Sequence, residues 1–451
     1  MNVLFIIYKA VPFLTGILLA LFFSYFAFAS WKENEHRAMR QALLLALVLA
    51  IIYIGIAFIN QPWQPYVTGL LLVLILLPII FFLIPRKKNT EAIPHANGRI
   101  DERDIMFSRN RLEPGSERFE NYYHSHPEKR AVDNRFRELP GLLKKGSAFY
   151  EPFSFTFADA TFELAKKLHP FVDGAVDEHR RKINPEKTST FILGWLKQAG
   201  VVAAGISELK EEHLYSHIGR GKDFGKEVHK EHRYVIAFTV EMSKTMMDAA
   251  PYGPTVMESA WQYLRAATIA VQLAEYIREL GYRARAHIDG NYRVVCPLVA
   301  RDAGLGEIGR MGLLMTPELG PRVRIGVVTT DIPLIPVKRE YDFSVIDFCE
   351  MCKKCAVVCP SSAISQKPRR EINGVLRWQI NQEACFTYWC RIGTDCGRCV
   401  AVCPYPDSFL HNMVRKGIRY SRNFARFALW MDDFFYGRKP KPKPTPEWMK
   451  G

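Results

Sequence analysis

Three apolar stretches at the front of the chain, alternating strand-like and helix-like patterns in its middle, and nine of its ten cysteines crowded between residues 349 and 403 predict a three-part architecture. Its parts are membrane-spanning helices, an α/β unit and a small cysteine-rich domain. The apolar stretches cover about residues 10–29, 41–59 and 66–85, each near the roughly 20 residues a helix needs to cross the hydrocarbon core. The length of the first stretch and the lack of a twin-arginine pair before it argue against a cleaved signal peptide.

Charge around these stretches sets an orientation. The first connection carries Lys32, Arg37 and Arg40, the second carries no cation, and Arg86-Lys87-Lys88 follows the third. The positive-inside rule places the first connection and the soluble part in the cytoplasm, which predicts a multi-pass inner-membrane protein whose soluble domain faces the cytoplasm. The 61 Lys and Arg against 46 Asp and Glu, a formal +15, invite a nucleic-acid or anionic-membrane partner. Neither is required, because part of the excess lies in Arg86-Lys87-Lys88 and in the proline-alternating lysines 439–443, which read as membrane-flanking and solvated segments.

From about residue 89 to 150 the chain is polar and irregular, with scattered aromatics that imply packing on something. An α/β pattern follows. Residues 191–197 read as an amphipathic helix, 201–205 as a short strand, 234–240 as a buried strand, 256–280 as a long helix stopped by Gly281, and 322–329 as an alternating strand. The intervening stretch 303–312 is dense in glycine but matches neither G-x-G-x-x-G nor a Walker loop. By itself it reads as a turn between packed elements, or as backbone that lets a cofactor approach closely. His213 and His217 lack the glutamate of a zinc-protease helix, and Cys296 in an apolar run reads as a buried small side chain.

The cysteines carry more information. Cys349-x2-Cys352-x2-Cys355-x3-Cys359-Pro360 has the C-x2-C-x2-C-x3-C-P spacing in which the last thiolate serves a neighbouring four-iron cluster, and Cys396-x2-Cys399-x3-Cys403-Pro404 repeats its second half. Cys349, Cys352, Cys355 and Cys403 would then hold one [4Fe-4S] cluster, and Cys359, Cys396 and Cys399 three positions of a second. Cys385 and Cys390 compete for the fourth; Cys385 stands in the expected set, although spacing alone does not choose. Thiolates also suit zinc, but the paired runs and their prolines favour clusters. Crowding in one short region fits poorly with a disulfide framework.

Several stretches together resemble the catalytic subunit of corrinoid-dependent reductive dehalogenases and, more distantly, epoxyqueuosine reductases. They are Asp101-Glu-Arg-Asp104, Tyr122-Tyr with His126-Pro-Glu128, Tyr263, Ile277-Arg-Glu-Leu-Gly-Tyr282, Asp302-Ala-Gly-Leu-Gly-Glu307, Gly309 to Glu318, Gly320 to Arg324, Thr330-Asp-Ile-Pro333 and both cysteine runs. The resemblance covers roughly residues 100–410. It implies a nitroreductase-like α/β core holding base-off cobalamin without a histidine ligand, in keeping with the missing D-x-H-x-x-G signature at Asp177-Glu-His179. The glycine stretch becomes a cofactor wall of Gly304, Leu305, Gly306, Glu307, Gly309, Arg310, Met311 and Gly312. Tyr263 matches the family's proton donor, Arg324 is the expected cation beside it, with Arg322 and Arg310 behind, and Asn291, or else Asp289, the polar position that orients the phenol.

The expected domains are a membrane anchor at 1–88, a segment packing on the core at 89–187, the corrinoid-binding core at 188–340, a ferredoxin-like domain at 341–412 and an extension with a basic proline-rich tail at 413–451. The expected reaction is reductive removal of halide from a small halogenated organic compound. Its electrons would come from a quinol-linked partner or a ferredoxin or flavodoxin, nucleic acid not being an expected partner. Two competing readings are reduction of an epoxide-bearing tRNA base and a non-enzymatic iron–sulfur electron carrier. The chain's own three spans, in place of an exported enzyme with a separate membrane protein, depart from the respiratory members of the family.

Overall fold

The computed structural model describes residues 3–59, 62–87, 98–405 and 411–449; Lys88, the expected 88/89 boundary and Gly451 lie outside them. The chain divides into two compact units, one of residues 1–88 and 412–440 and one of residues 89–411 and 441–451.

In the first unit, helices Val3–Lys32, His36–Ala57 and Gln64–Phe82 overlap the three expected spans, the second and third ending before the expected residues 59 and 85. Segments Lys9–Lys32, His36–Ala57 and Gln64–Phe82 are long and apolar enough to cross a membrane. Small residues let the first two helices approach: a Cβ at Gly16 would meet Tyr53 Cβ at 2.6 Å. Ala27, Ala38 and Ala42 bury the ring of Phe435. Helices His411–Tyr420 and Arg422–Tyr436 carry the expected extension after residue 413 into this unit as far as residue 440.

The second unit is built on an antiparallel sheet of β1 (Ala203–Glu208), β2 (Tyr234–Glu241), β3 (Ala284–His287) and β4 (Val323–Thr330), in the order β1-β2-β4-β3. Branched and aromatic residues suit these strands because both faces are covered; β2 is buried from Tyr234 to Val240. Gly326 lies opposite Phe238 in the ladder, where a Cβ would strike the phenyl ring at 2.2 Å. Against one face lies helix Gly253–Glu279, whose Ala266, Ala267, Ala270, Leu273 and Ile277 pack with Ile236, Phe238 and Val328.

The polar stretch before residue 150 is helical at Glu117–Ser125 and Pro127–Arg137, and a further helix spans Pro152–Lys166. This segment is bound into the unit by buried charge pairs. Glu102 accepts from Arg220 at 2.7 Å and 2.9 Å, and Arg109 pairs with Asp133 and, at 2.6 Å, with Glu383. Residues 89–411 therefore belong to one compact unit rather than three separate ones. The lysine tail is not wholly solvated: Lys443 pairs with Asp248 at 2.9 Å.

Candidate functional site

Tyr263 lies on helix Gly253–Glu279 four positions after Ser259, so both side chains share a helix face. Arg324, on β4 opposite Val240, reaches them from the sheet. Its guanidinium carbon lies 4.7 Å from the centre of the Tyr263 ring, and Nη2 donates to Ser259 Oγ at 2.6 Å and Asp395 Oδ2 at 3.2 Å. Ser259 Oγ also donates to Asp395. Burial pushes the Tyr263 phenol above its ordinary value, while the Arg324 charge pulls the other way. Burial opposes the Arg324 charge, yet Tyr263 and Asp395 hold the guanidinium above its usual range. The result is a protonated phenol beneath a fixed cation, which would stabilise the phenolate left after proton donation.

Tyr263 and Arg324 line a cavity of about 400 Å³ with walls that include Phe107, Leu313, Ile380, Phe386 and Trp389. Asp289, the only carboxylate among its lining residues, shares this cavity, as do Tyr292, Arg220 and Cys296. The expected Asn291 is not among the lining residues. Its Oδ1 accepts from Arg285 at 2.7 Å, because the bridge between Ile288 and Asn291 closes a tight turn that turns adjacent residues apart. The second choice, Asp289, is the one brought to Tyr263. Arg220 and Tyr292 had no sequence signal of their own. Cys296, expected only to pack, lines the cavity as a thiol that burial pushes up to about 12.

All ten cysteines are free. Burial first, and then the neighbouring thiols, hold Cys403 well above its ordinary value, and those neighbours are Cys349, Cys352 and Cys355. Cys399 is raised in the same way by burial and by Cys396, Cys355, Cys385 and Cys359. Burial first, and then the nearby Cys396 and Cys359, push Cys385 up to about 12. Cys390 responds to burial alone and packs with Met106, Phe136 and Phe386. Cys385 also lines the cavity of Tyr263.

Sulfurs on one zinc ion, each about 2.3 Å from the metal, would lie within about 4 Å of one another. Among the described residues the only trio of ligating atoms within 4.8 Å is Glu212, His213 and Asp302, so the cysteine groups are too open for zinc. The trio itself is occupied by internal pairs. His213 Nε2 bonds Asp302 at 3.0 Å, and Lys210, Arg301 and Arg339 also pair with that carboxylate.

The glycine stretch forms a hairpin in which Glu307 and Ile308 pair with Met315 and Leu314. Glu307, Gly309 and Gly312 line a second cavity of about 290 Å³ that shares Pro297 with the first. A Cβ at Gly309 would lie 3.5 Å from Cys349 Sγ, so this bare backbone separates the second cavity from a thiol of the first group. The other expected wall residues serve the scaffold. Leu305 and Met311 are buried, Gly304 and Gly306 supply left-handed backbone, and Arg310 donates to the carbonyls of Cys349, Ser365 and Lys367. Arg377 lines the second cavity, and no acid pairs with it among the described residues; burial alone lowers its pKa.

The second unit thus presents a phenol–guanidinium pair in a cavity that also reaches Cys385 of the clustered cysteines. A family profile for a 4Fe-4S dicluster domain matches residues 348–406. Tetrachloroethene reductive dehalogenase of Sulfurospirillum multivorans is 33% identical over 294 residues, 57% of this chain and 58% of that one. A solved structure titled as suggesting a mechanism for B12-dependent dehalogenation by a reductive dehalogenase matches with a TM-score of 0.62 at 23% identity, covering 79% of this chain and 50% of the other. More distant is epoxyqueuosine reductase of Listeria monocytogenes, 28% identical over 122 residues, 24% of this chain and 28% of that one. The chain is thus similar in sequence to the reductive dehalogenases and has a reductive dehalogenase-like fold, with a dicluster domain and three long apolar helices before it. It spans 58% of the length of the first of these dehalogenases and 50% of that of the second.

Proposed function

We propose that this protein is a reductive dehalogenase: a membrane-anchored oxidoreductase that replaces a carbon–halogen bond with carbon–hydrogen, consuming two electrons and one proton and releasing halide. The observation that carries this reading is one cavity lined by Tyr263, Arg324 and Cys385, which brings a proton donor, its counter-charge and a cluster ligand to the same space.

The residues fit a corrinoid, which would extend the nitroreductase-like description to the core. When bound, a reduced cobalamin would supply the electron-rich metal chemistry needed for carbon–halogen cleavage. This chain's residues do the rest. The hairpin at 304–312 would offer backbone to the corrin, with Glu307, Gly309 and Gly312 at the surface, and Arg377 offers a charge to an anionic group of the cofactor. Phe107, Phe386 and Trp389 would exclude water from an apolar substrate. Tyr263 delivers the proton from its hydroxyl, Arg324 steadies the phenolate, and Asp289 orients the phenol. Cys349, Cys352, Cys355 and Cys403 would hold one four-iron cluster, and Cys359, Cys385, Cys396 and Cys399 the other.

Electrons would enter from a quinol-linked partner or a ferredoxin or flavodoxin, on the cytoplasmic side if the positive-inside rule holds for this chain. Anaerobic purification followed by cobalt and iron analysis tests the reading: about one cobalt and about eight irons per chain are expected, with halide released from a halogenated substrate. Iron without cobalt would leave only an electron carrier, and cobalt with activity confined to an epoxide-bearing tRNA base would assign the other enzyme class.

A further inference from the structure

We propose that helices His411–Tyr420 and Arg422–Tyr436 form an interfacial element that lies in the headgroup layer and binds anionic phospholipids. The proposal rests on the three apolar helices residing in a bilayer and is independent of the reaction catalysed.

Position is the first ground. Arg86, just past the third apolar helix, donates its backbone N–H to Tyr420 O at 2.6 Å and its Nη2 to Ile418 O at 2.7 Å. Phe82, at the end of that helix, lies 5.7 Å from the ring of Phe424 and 4.9 Å from that of Phe427. At its other end, helix Arg422–Tyr436 places Phe435 among Ala27, Ala38 and Ala42. A Cβ at Gly437 would come within 2.7 Å of Arg37 Nη1, in the first turn of the second helix. The 15-residue helix, about 22 Å long, therefore runs from the exit of the third span to the turn joining the first two. All of these points are on the Arg37 and Arg86 side.

Chemistry is the second ground. Between residues 411 and 431 the pair carries Arg415, Lys416, Arg419, Arg422 and Arg426 and no Asp or Glu. Lys416 and Arg426 are exposed and make no ion pair among the described residues. Phe427, Trp430 and Phe434 form a ladder with ring centres 6.1 and 5.9 Å apart, and Trp430 is 60% exposed. An apolar aromatic stripe beside a cationic face, continuous with lipid-length helices, matches the headgroup boundary. There Trp partitions at the interface, and each cation strengthens attraction to an anionic leaflet roughly fivefold.

The full chain in nanodiscs tests this. Hydrogen exchange across residues 411–436 should slow roughly tenfold when about one third of the phosphatidylcholine is replaced by phosphatidylglycerol. The double variant Lys416→Glu and Arg426→Glu should lose that difference, while protection in His36–Ala57 stays unchanged. In a second measurement, lipids brominated near the headgroup should quench a fluorescence component that is missing in Trp430→Phe. Equal exchange of the unaltered chain in both lipids would overturn the anionic-lipid claim, and an unquenched Trp430 component would overturn the interfacial placement.

Discussion

Tyr263 is held between two opposing influences beyond burial: Arg324 lowers the phenol's pKa and Asp289 raises it. A proton donor works while protonated, so its pKa sets the alkaline limit of activity. Asp289→Asn removes the raising charge and should move the alkaline limb of the kcat/KM profile to lower pH. Arg324→Gln should move it to higher pH and also slow turnover by leaving the phenolate unsupported. Equal displacement in the same direction would contradict the arrangement. Tyr263→Phe should lower kcat by roughly 10²- to 10⁴-fold with iron and cobalt retained. None of this was readable from spacing. Tyr263 and Arg324 were reached through family resemblance, and Asp289 lost to Asn291 because a turn decides which neighbour faces a cavity. Arg377 had no motif at all; Arg377→Ala should weaken reconstitution by cobalamin, measured by cobalt uptake, while leaving uptake of cobinamide, which lacks the phosphodiester, unchanged.

At the scale of elements, the pattern-based expectations succeeded where burial dictates periodicity. The strand expected at 234–240 is Tyr234–Glu241 and the long helix at 256–280 is Gly253–Glu279, each buried against the other's face. Helices Glu117–Ser125 and Pro127–Arg137 escaped notice because their stability comes from charge pairs and a few aromatic rings, not an apolar stripe; Arg109 with Asp133 is one such pair. The glycine hairpin was visible as composition, but its geometry was not. Gly306 has φ +153, and a Cβ there would meet Met315 O at 2.2 Å, so Gly306→Ala should destabilise the fold by at least about 2 kcal/mol in a denaturant titration. Helix Gln382–Ile392 separates the two competing cysteines: Cys385→Ser should reduce iron from about eight to about four per chain, and Cys390→Ser should leave it at about eight.

Across the whole molecule, buried titratable groups determine acid sensitivity. Burial, and then the nearby Arg285, hold His287 well below its ordinary pKa, and burial also lowers His232; both share Thr329 Oγ1 as a partner, at 3.0 and 2.8 Å. A folded-state pKa below the unfolded value means the unfolded chain binds more protons as the pH falls below about 6.5, so stability falls with it. The denaturation midpoint of the second unit should drop between about pH 6.5 and 5, and His287→Gln should flatten that slope. The sequence showed the three apolar helices by length and composition, but it could not show that the chain returns to them at residue 412. That return rests on contacts that pattern alone does not show, with Phe435 among Ala27, Ala38 and Ala42 and with Phe424 and Phe427 against Phe82.

The return has a mechanical consequence. The larger unit's long segment joins the first unit at both of its ends, near residues 88 and 411, so with that first unit intact its unfolded chain would still be a closed loop whose lost freedom grows only slowly with its length. A single protease cut before residue 98 would leave residues 98–405 covalently joined to helix Arg422–Tyr436 of the first unit.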